Sequence, residues 1–131
     1  MQRLLLAAVF AFAASGSALA ADPPASAKTS QCFRISQIDN HTKGDNQTLY
    51  LSVRNKKEFF RLGMSGSCLA GVSSSDPLVL TPTAGTDLIC RPLDLDLKVR
   101  MGGGALTPCI IKDITKLTPE QVAALPPKVK P

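Results

Sequence analysis

Apolar and polar residues alternate with a period of two along much of this chain, which predicts strands with one buried face. The clearest case is Gln47 to Met64: Leu49, Leu51 and Val53 share one face, with Tyr50, Ser52 and Arg54 on the other. Asn55-Lys56-Lys57 reads as the turn of a hairpin, and Phe60, Leu62 and Met64 form the second alternating set. In Ile89 to Arg100, Leu93, Leu95, Leu97 and Val99 alternate with Asp94, Asp96, Lys98 and Arg100, so the first set is expected in the core and the second in water. Pro92 should interrupt this strand or lie on an edge, because it has no N–H to give. Near the start, Phe33 and Ile35 are out of phase with Ile38, which predicts a bulge near Ser36-Gln37. Asp39 to Asn46 is dense in turn formers and reads as an exposed loop carrying the lone histidine, His41. Ser65 to Pro77 reads as another loop, pinned by Cys68. Leu78 to Thr81 is a short strand, Met101 to Pro108 a glycine-rich connection, and Cys109 to Leu117 a last strand. In that strand Ile110 and Ile114 are expected on one face, with Cys109 and Ile111 on the other.

The chain then turns helical. Thr118 at N-cap, Pro119 at N1 and Gln121 at N3 form a capping box, with Leu117 and Val122 placed as a hydrophobic staple. Pro126-Pro127 must end the helix after one or two turns. Short strands with regular turn signals predict a mainly β fold: a small, disulfide-stapled barrel or sandwich of five to seven antiparallel strands with a short C-terminal helix.

The first twenty residues change the setting. Arg3, the apolar run Leu4 to Ala14 and Ala18-Leu19-Ala20 have the three-part pattern of a secretory signal peptide. The run is shorter than the ~20 residues a spanning helix needs. No cysteine stands at the cleavage point, so no lipid attachment is expected. The organisation is therefore read as signal peptide 1–20, flexible Pro/Ala/Ser-rich leader 21–31, a single β-rich domain 32–125 and a basic, Pro-rich tail 126–131, in a periplasmic or secreted protein that does not span the membrane.

Four cysteines, Cys32, Cys68, Cys90 and Cys109, fall in the mature part. An even count in a small exported chain predicts disulfides. Zinc is disfavoured by the lack of any CxxC pair and the single histidine, and neither a metal nor a cofactor is expected. Of the three connectivities, we expect Cys32–Cys109, tying the first strand to the last, and Cys68–Cys90, closing a central loop. Each bridge should contribute about 2–4 kcal/mol.

Little in the sequence carries chemistry. Asp94 and Asp96 would lie about 7 Å apart on a wet strand face, where screened carboxylates interact weakly. They lack the spacing of a calcium loop, and an open face would not raise a carboxyl pKa as acid catalysis needs. There is no G-x-S-x-G, and Gly102-Gly103-Gly104 does not follow the phosphate-loop pattern. With a formal charge of +5, the chain clusters Arg54, Lys56 and Lys57 at a hairpin tip and Lys128 and Lys130 in the tail. Such a patch suits anionic envelope surfaces. Nucleic acid is not expected, since no aromatic stacking pattern accompanies the basic residues.

"CFRISQI", "DNQTLYLSVRNKKEFFRL" followed shortly by a cysteine, "ICRPLDLDLKV" and "PCIIKDITKLTPEQVAALP" occur in that order. From Cys32 to Pro126 the chain resembles a family of small exported proteobacterial proteins of the DUF6491 type, a domain of unknown function. The resemblance implies a bacterial periplasmic setting and transfers no functional residue.

Function is read as a non-enzymatic periplasmic binding or interaction domain, its partner an envelope protein or small ligand. Arg54, Lys56 and Lys57, with Asp94 and Asp96, are the candidate binding residues. The alternatives are a small hydrolase using Asp94, Asp96 or His41, and a calcium-assisted structural domain.

Overall fold

The computed structural model describes residues 31–102 and 104–131. The expected signal peptide, and the leader up to residue 30, lie outside the described residues. Among the described residues eight strands are formed: β1 (Phe33–Arg34), β2 (Ile38–Lys43), β3 (Thr48–Val53), β4 (Glu58–Ser65), β5 (Leu78–Pro82), β6 (Leu88–Ile89), β7 (Leu95–Arg100) and β8 (Leu106–Lys116), with a helix α1 (Pro119–Ala124) after them. Six strands make one antiparallel sheet in the order β2-β3-β4-β8-β7-β5, curled into a half-barrel, while β1 and β6 form a separate two-residue ladder. The fold is thus mainly β, as the alternation implies, and disulfide-stapled, as the cysteine count implies.

The concave side of the half-barrel holds the core. Leu51, Val53, Phe60, Leu62, Leu97 and Val99 are fully buried, and the β1–β6 ladder adds Phe33 and Ile89. The Phe33 and Phe60 rings meet with centroids 4.9 Å apart. Burying each such side chain is worth about 1.5–3 kcal/mol. Leu69 and Val72, from the loop after β4, also enter the core. This loop was expected to be held by Cys68, and it is.

Three local departures from simple alternation matter. The phase slip after Phe33 is a 3-10 turn over Ile35–Gln37 between β1 and β2. Pro92–Asp94 is a second 3-10 turn, so the period of two begins only at Leu95. Leu93 is consequently 84% exposed and Asp94 only 7% exposed, the reverse of the alternation's expectation. In β8 the register to β4 shifts between Gly63 and Met64: Gly63 faces Asp113 and Met64 faces Ile111. The skipped residue, Lys112, resets the phase, so Ile114 packs on the same core as Cys109 and Ile111 while Ile110 is 71% exposed. A Cβ at Gly63 would collide with the Asp113 carboxylate and displace it from its ion pair with Arg61, whose Nη1 donates to Asp113 Oδ1 at 3.0 Å.

The disulfides are Cys32–Cys90 and Cys68–Cys109, which corrects the pairing expected from strand order. Antiparallel register explains the first. Phe33 faces Ile89 and Arg34 faces Leu88, so one step outward sets Cys32 directly opposite Cys90, with Cα atoms 4.2 Å apart. The second bridges the loop after β4 to the core-facing Cys109 of β8, with Cα atoms 5.4 Å apart.

The helix forms as its end signals require. Thr118 Oγ1 accepts from Gln121 N at 3.3 Å and Gln121 Oε1 accepts from Thr118 N at 2.9 Å. The tail then returns over the convex side of the sheet, where Thr42 Oγ1 donates to Lys130 O at 3.3 Å and Pro131 is buried.

Candidate functional site

The two aspartates of the central segment have separate, local duties. Asp94 Oδ2 accepts from the backbone N–H groups of Cys90 (3.1 Å) and Arg91 (2.9 Å), and Oδ1 accepts from Arg91 Nη2 at 2.9 Å. The Arg91 guanidinium, helped by the Cys90 and Arg91 amides, holds the Asp94 carboxyl below its ordinary value. Asp94 therefore fixes the segment that presents Cys90 to Cys32. Asp96 pairs with Lys98, two residues on along the same face, at 2.7 Å.

His41 does not lie in a loop. Asn40, His41 and Thr42 continue β2, because β3 supplies them ladder partners once the register has shifted past Asp39, and the turn is confined to Gly44–Gln47. His41 is half-buried and its Nε2 donates to the Asp76 carbonyl at 3.2 Å. Three strands separate β2 from β7 in the sheet, so His41 and Asp96 are not assembled into one site. Among the described residues, no group of three or more His, Cys, Asp or Glu could hold a metal ion.

The hairpin tip is different. Arg54, Asn55 and Lys56 all adopt left-handed backbone, with φ of 57°, 58° and 59°. Neighbours secure this unusual turn: Gln37 O accepts from Arg54 N at 2.9 Å, and Asp39 Oδ2 accepts from Lys56 N at 2.9 Å. The turn delivers Lys57 and Glu58 to one wall of a cleft of about 480 Å³ between the start of β4, the end of β8 and α1. Its apolar surface comes from Phe59, Leu117, Pro119, Val122 and Ala123, and its third polar residue is Lys116. Phe59 points away from the core that takes Phe60, since the two successive residues of a strand face opposite ways. Phe59 O accepts from Leu117 N at 2.8 Å, which joins the end of β8 to β4. Lys116 Nζ donates to Glu58 Oε1 at 2.9 Å, and Arg54 Nη1 reaches the same oxygen at 3.4 Å. Lys116 Nζ also sits 6.0 Å from the Phe60 ring centroid.

Of the residues singled out from the sequence, Lys57 lines the cleft, Arg54 braces it through Glu58, and Lys56 lies in the hairpin turn outside the lining. Phe59 and Lys116 had no signal of their own. Leu117 and Val122 were visible only as a staple for the helix, and the same apolar pair forms part of the cleft.

A doubly cross-linked β half-barrel, with a cleft of ligand size beside a short terminal helix, describes the class of this protein. More particularly, the chain belongs to DUF6491, a family of unknown function whose model matches residues 1–130. No curated protein and no solved structure matches it.

Proposed function

We propose that the protein is a non-enzymatic periplasmic binding domain that takes a small ligand in the cleft between the β3–β4 hairpin and α1. The observation that carries this reading is the cleft itself: about 480 Å³, mostly apolar, with three charged side chains in its lining. That volume and that mixture are usual for small-molecule sites. The remaining candidates are engaged locally, Asp94 with Arg91, Asp96 with Lys98 and His41 with a backbone carbonyl. The periplasmic setting is supported by the N-terminal sequence pattern and by two disulfides. Among the described residues no helix is long and apolar enough to cross a membrane.

The test is a thermal-shift screen of the oxidised protein against small molecules extracted from a bacterial envelope, repeated with Ala123→Trp, which fills the cleft from an exposed helix position. Stabilisation of the parent chain that vanishes in A123W supports the reading. Ligands that stabilise both forms equally would place binding elsewhere, and a screen without any hit would count against a binding role.

A further inference from the structure

We infer that the cleft is selective for a single-chain amphipathic anion: an alkyl or aryl chain on Phe59, Leu117 and Val122, with a carboxylate or phosphate head at Lys57 and Lys116. This rests on the proposed binding role of the cleft and adds the chemistry of its ligand. The lining combines a largely apolar surface with the cations Lys57 and Lys116, which suits a molecule with one apolar and one charged end.

The sign of the head follows from the charges in and around the lining. Glu58 is the one carboxylate in the lining, and its Oε1 is already shared by Lys116 Nζ and Arg54 Nη1. One negative charge thus faces two positive ones. Lys57 makes no hydrogen bond or ion pair with its ammonium among the described residues, and Lys56 is likewise free at its side chain. Two further carboxylates stand nearby without entering the lining. Asp39 accepts the Lys56 backbone N–H. On α1, Glu120 is held below its ordinary pKa by its own backbone N–H and by the Thr118 hydroxyl. Arg54, Lys56, Lys57 and Lys116 against the carboxylates of Glu58, Asp39 and Glu120 leave one net positive charge around the cleft, so an anionic head is attracted and a cationic one repelled. The small volume favours one chain over a two-chain lipid held in a bilayer.

The test uses the full oxidised chain, labelled with nitrogen-15, and three probes below their micelle-forming concentrations: decanoate, decyl phosphate and decyltrimethylammonium. Anionic phosphatidylglycerol vesicles form a fourth arm, read by co-sedimentation. We expect at least one anionic probe to shift the amide signals of Phe59, Leu117, Val122 and Ala123, and to bind about tenfold more tightly than the cation. Lys57→Gln should lower that affinity severalfold, whereas Lys112→Gln, on the same protein but outside the lining, should leave it unchanged. If the cation binds as tightly as the anions, or K57Q has no effect, the charge inference is overturned while the cleft remains a binding site. If no probe moves those signals, the inference and the cleft-binding reading fall together. Binding to vesicles without binding to monomeric probes would overturn it in favour of a membrane-surface role.

Discussion

The hairpin tip offers a prediction whose size can be worked out. In Arg54-Asn55-Lys56 three successive residues with side chains sit in the left-handed region. That conformation costs an L-residue about 1–2 kcal/mol, with asparagine more tolerant than lysine. The bond that fixes Lys56, from its backbone N–H to Asp39 Oδ2 at 2.9 Å, does not involve its side chain. Lys56→Gly therefore keeps the bond and removes the clash of Cβ with the backbone. Against this, glycine frees the unfolded chain by about 0.5–1 kcal/mol. The balance is a gain of about 0.5–1 kcal/mol, or a rise in Tm of about 2–6 °C for a domain of this size. Lys56→Ala retains Cβ and should give no such gain. Thermal melts followed by far-ultraviolet circular dichroism on the oxidised protein compare the three forms. If K56G melts no higher than K56A, the turn is not strained in solution and the argument fails.

Two further outcomes follow from the disulfides and from the carboxylates. Replacing Cys32 and Cys90 together by alanine opens a loop with a sequence separation of 58, against 41 for Cys68–Cys109. Chain entropy puts the losses at about 4 kcal/mol each, slightly larger for the first. Urea unfolding measures them, and peptide mapping of Cys32→Ala alone should find the free thiol at Cys90; a free thiol at Cys109 would refute the pairing. Asp45, Asp87 and Asp94 are all held below their ordinary values, chiefly by the Gln47 backbone N–H, the Ser36 hydroxyl and the Arg91 guanidinium respectively. A depressed folded pKa contributes stability that is fully present above the unfolded value, near 3.8, and is lost as pH falls below it. The urea midpoint should thus be flat from neutral pH down to about pH 5 and fall below about pH 4, with a shallower fall in Asp94→Asn; equal slopes would exclude Asp94 as a contributor.

What could be read from the sequence was what depends on near neighbours. The β3–β4 hairpin follows from two alternating runs around a turn, and α1 from a capping box whose partners are three residues apart. The misreadings arose where one residue breaks the period. Pro92 opens a 3-10 turn that exposes Leu93 and buries Asp94, and the extra residue Lys112 returns Ile114 to the core face. Asp39 to Thr42 has turn-forming composition, yet it lies in β2 because the ladder to β3 pairs Asn40, His41 and Thr42, with only Asp39 passed over at a register shift. The cysteine pairing depended on the β1–β6 register, which joins residues far apart in the chain. The cleft was half visible: Lys57 stood out by charge, but Phe59 and Lys116 acquire meaning only when the ends of β4 and β8 meet α1.

The disulfides also bear on how the chain must mature. The first cysteine pairs with the third and the second with the fourth, so neither bridge joins consecutive cysteines. A chain that enters an oxidising space N-terminus first exposes Cys32 and Cys68 while both partners are still to come. Those two thiols, oxidised together, form a link that the half-barrel cannot contain. Productive maturation then requires either that oxidation wait for β6 and β8 or that thiolate attack undo the early bond. Yield in a host should therefore depend on a disulfide isomerase as well as on an oxidase, although the finished fold is small and its bridges few.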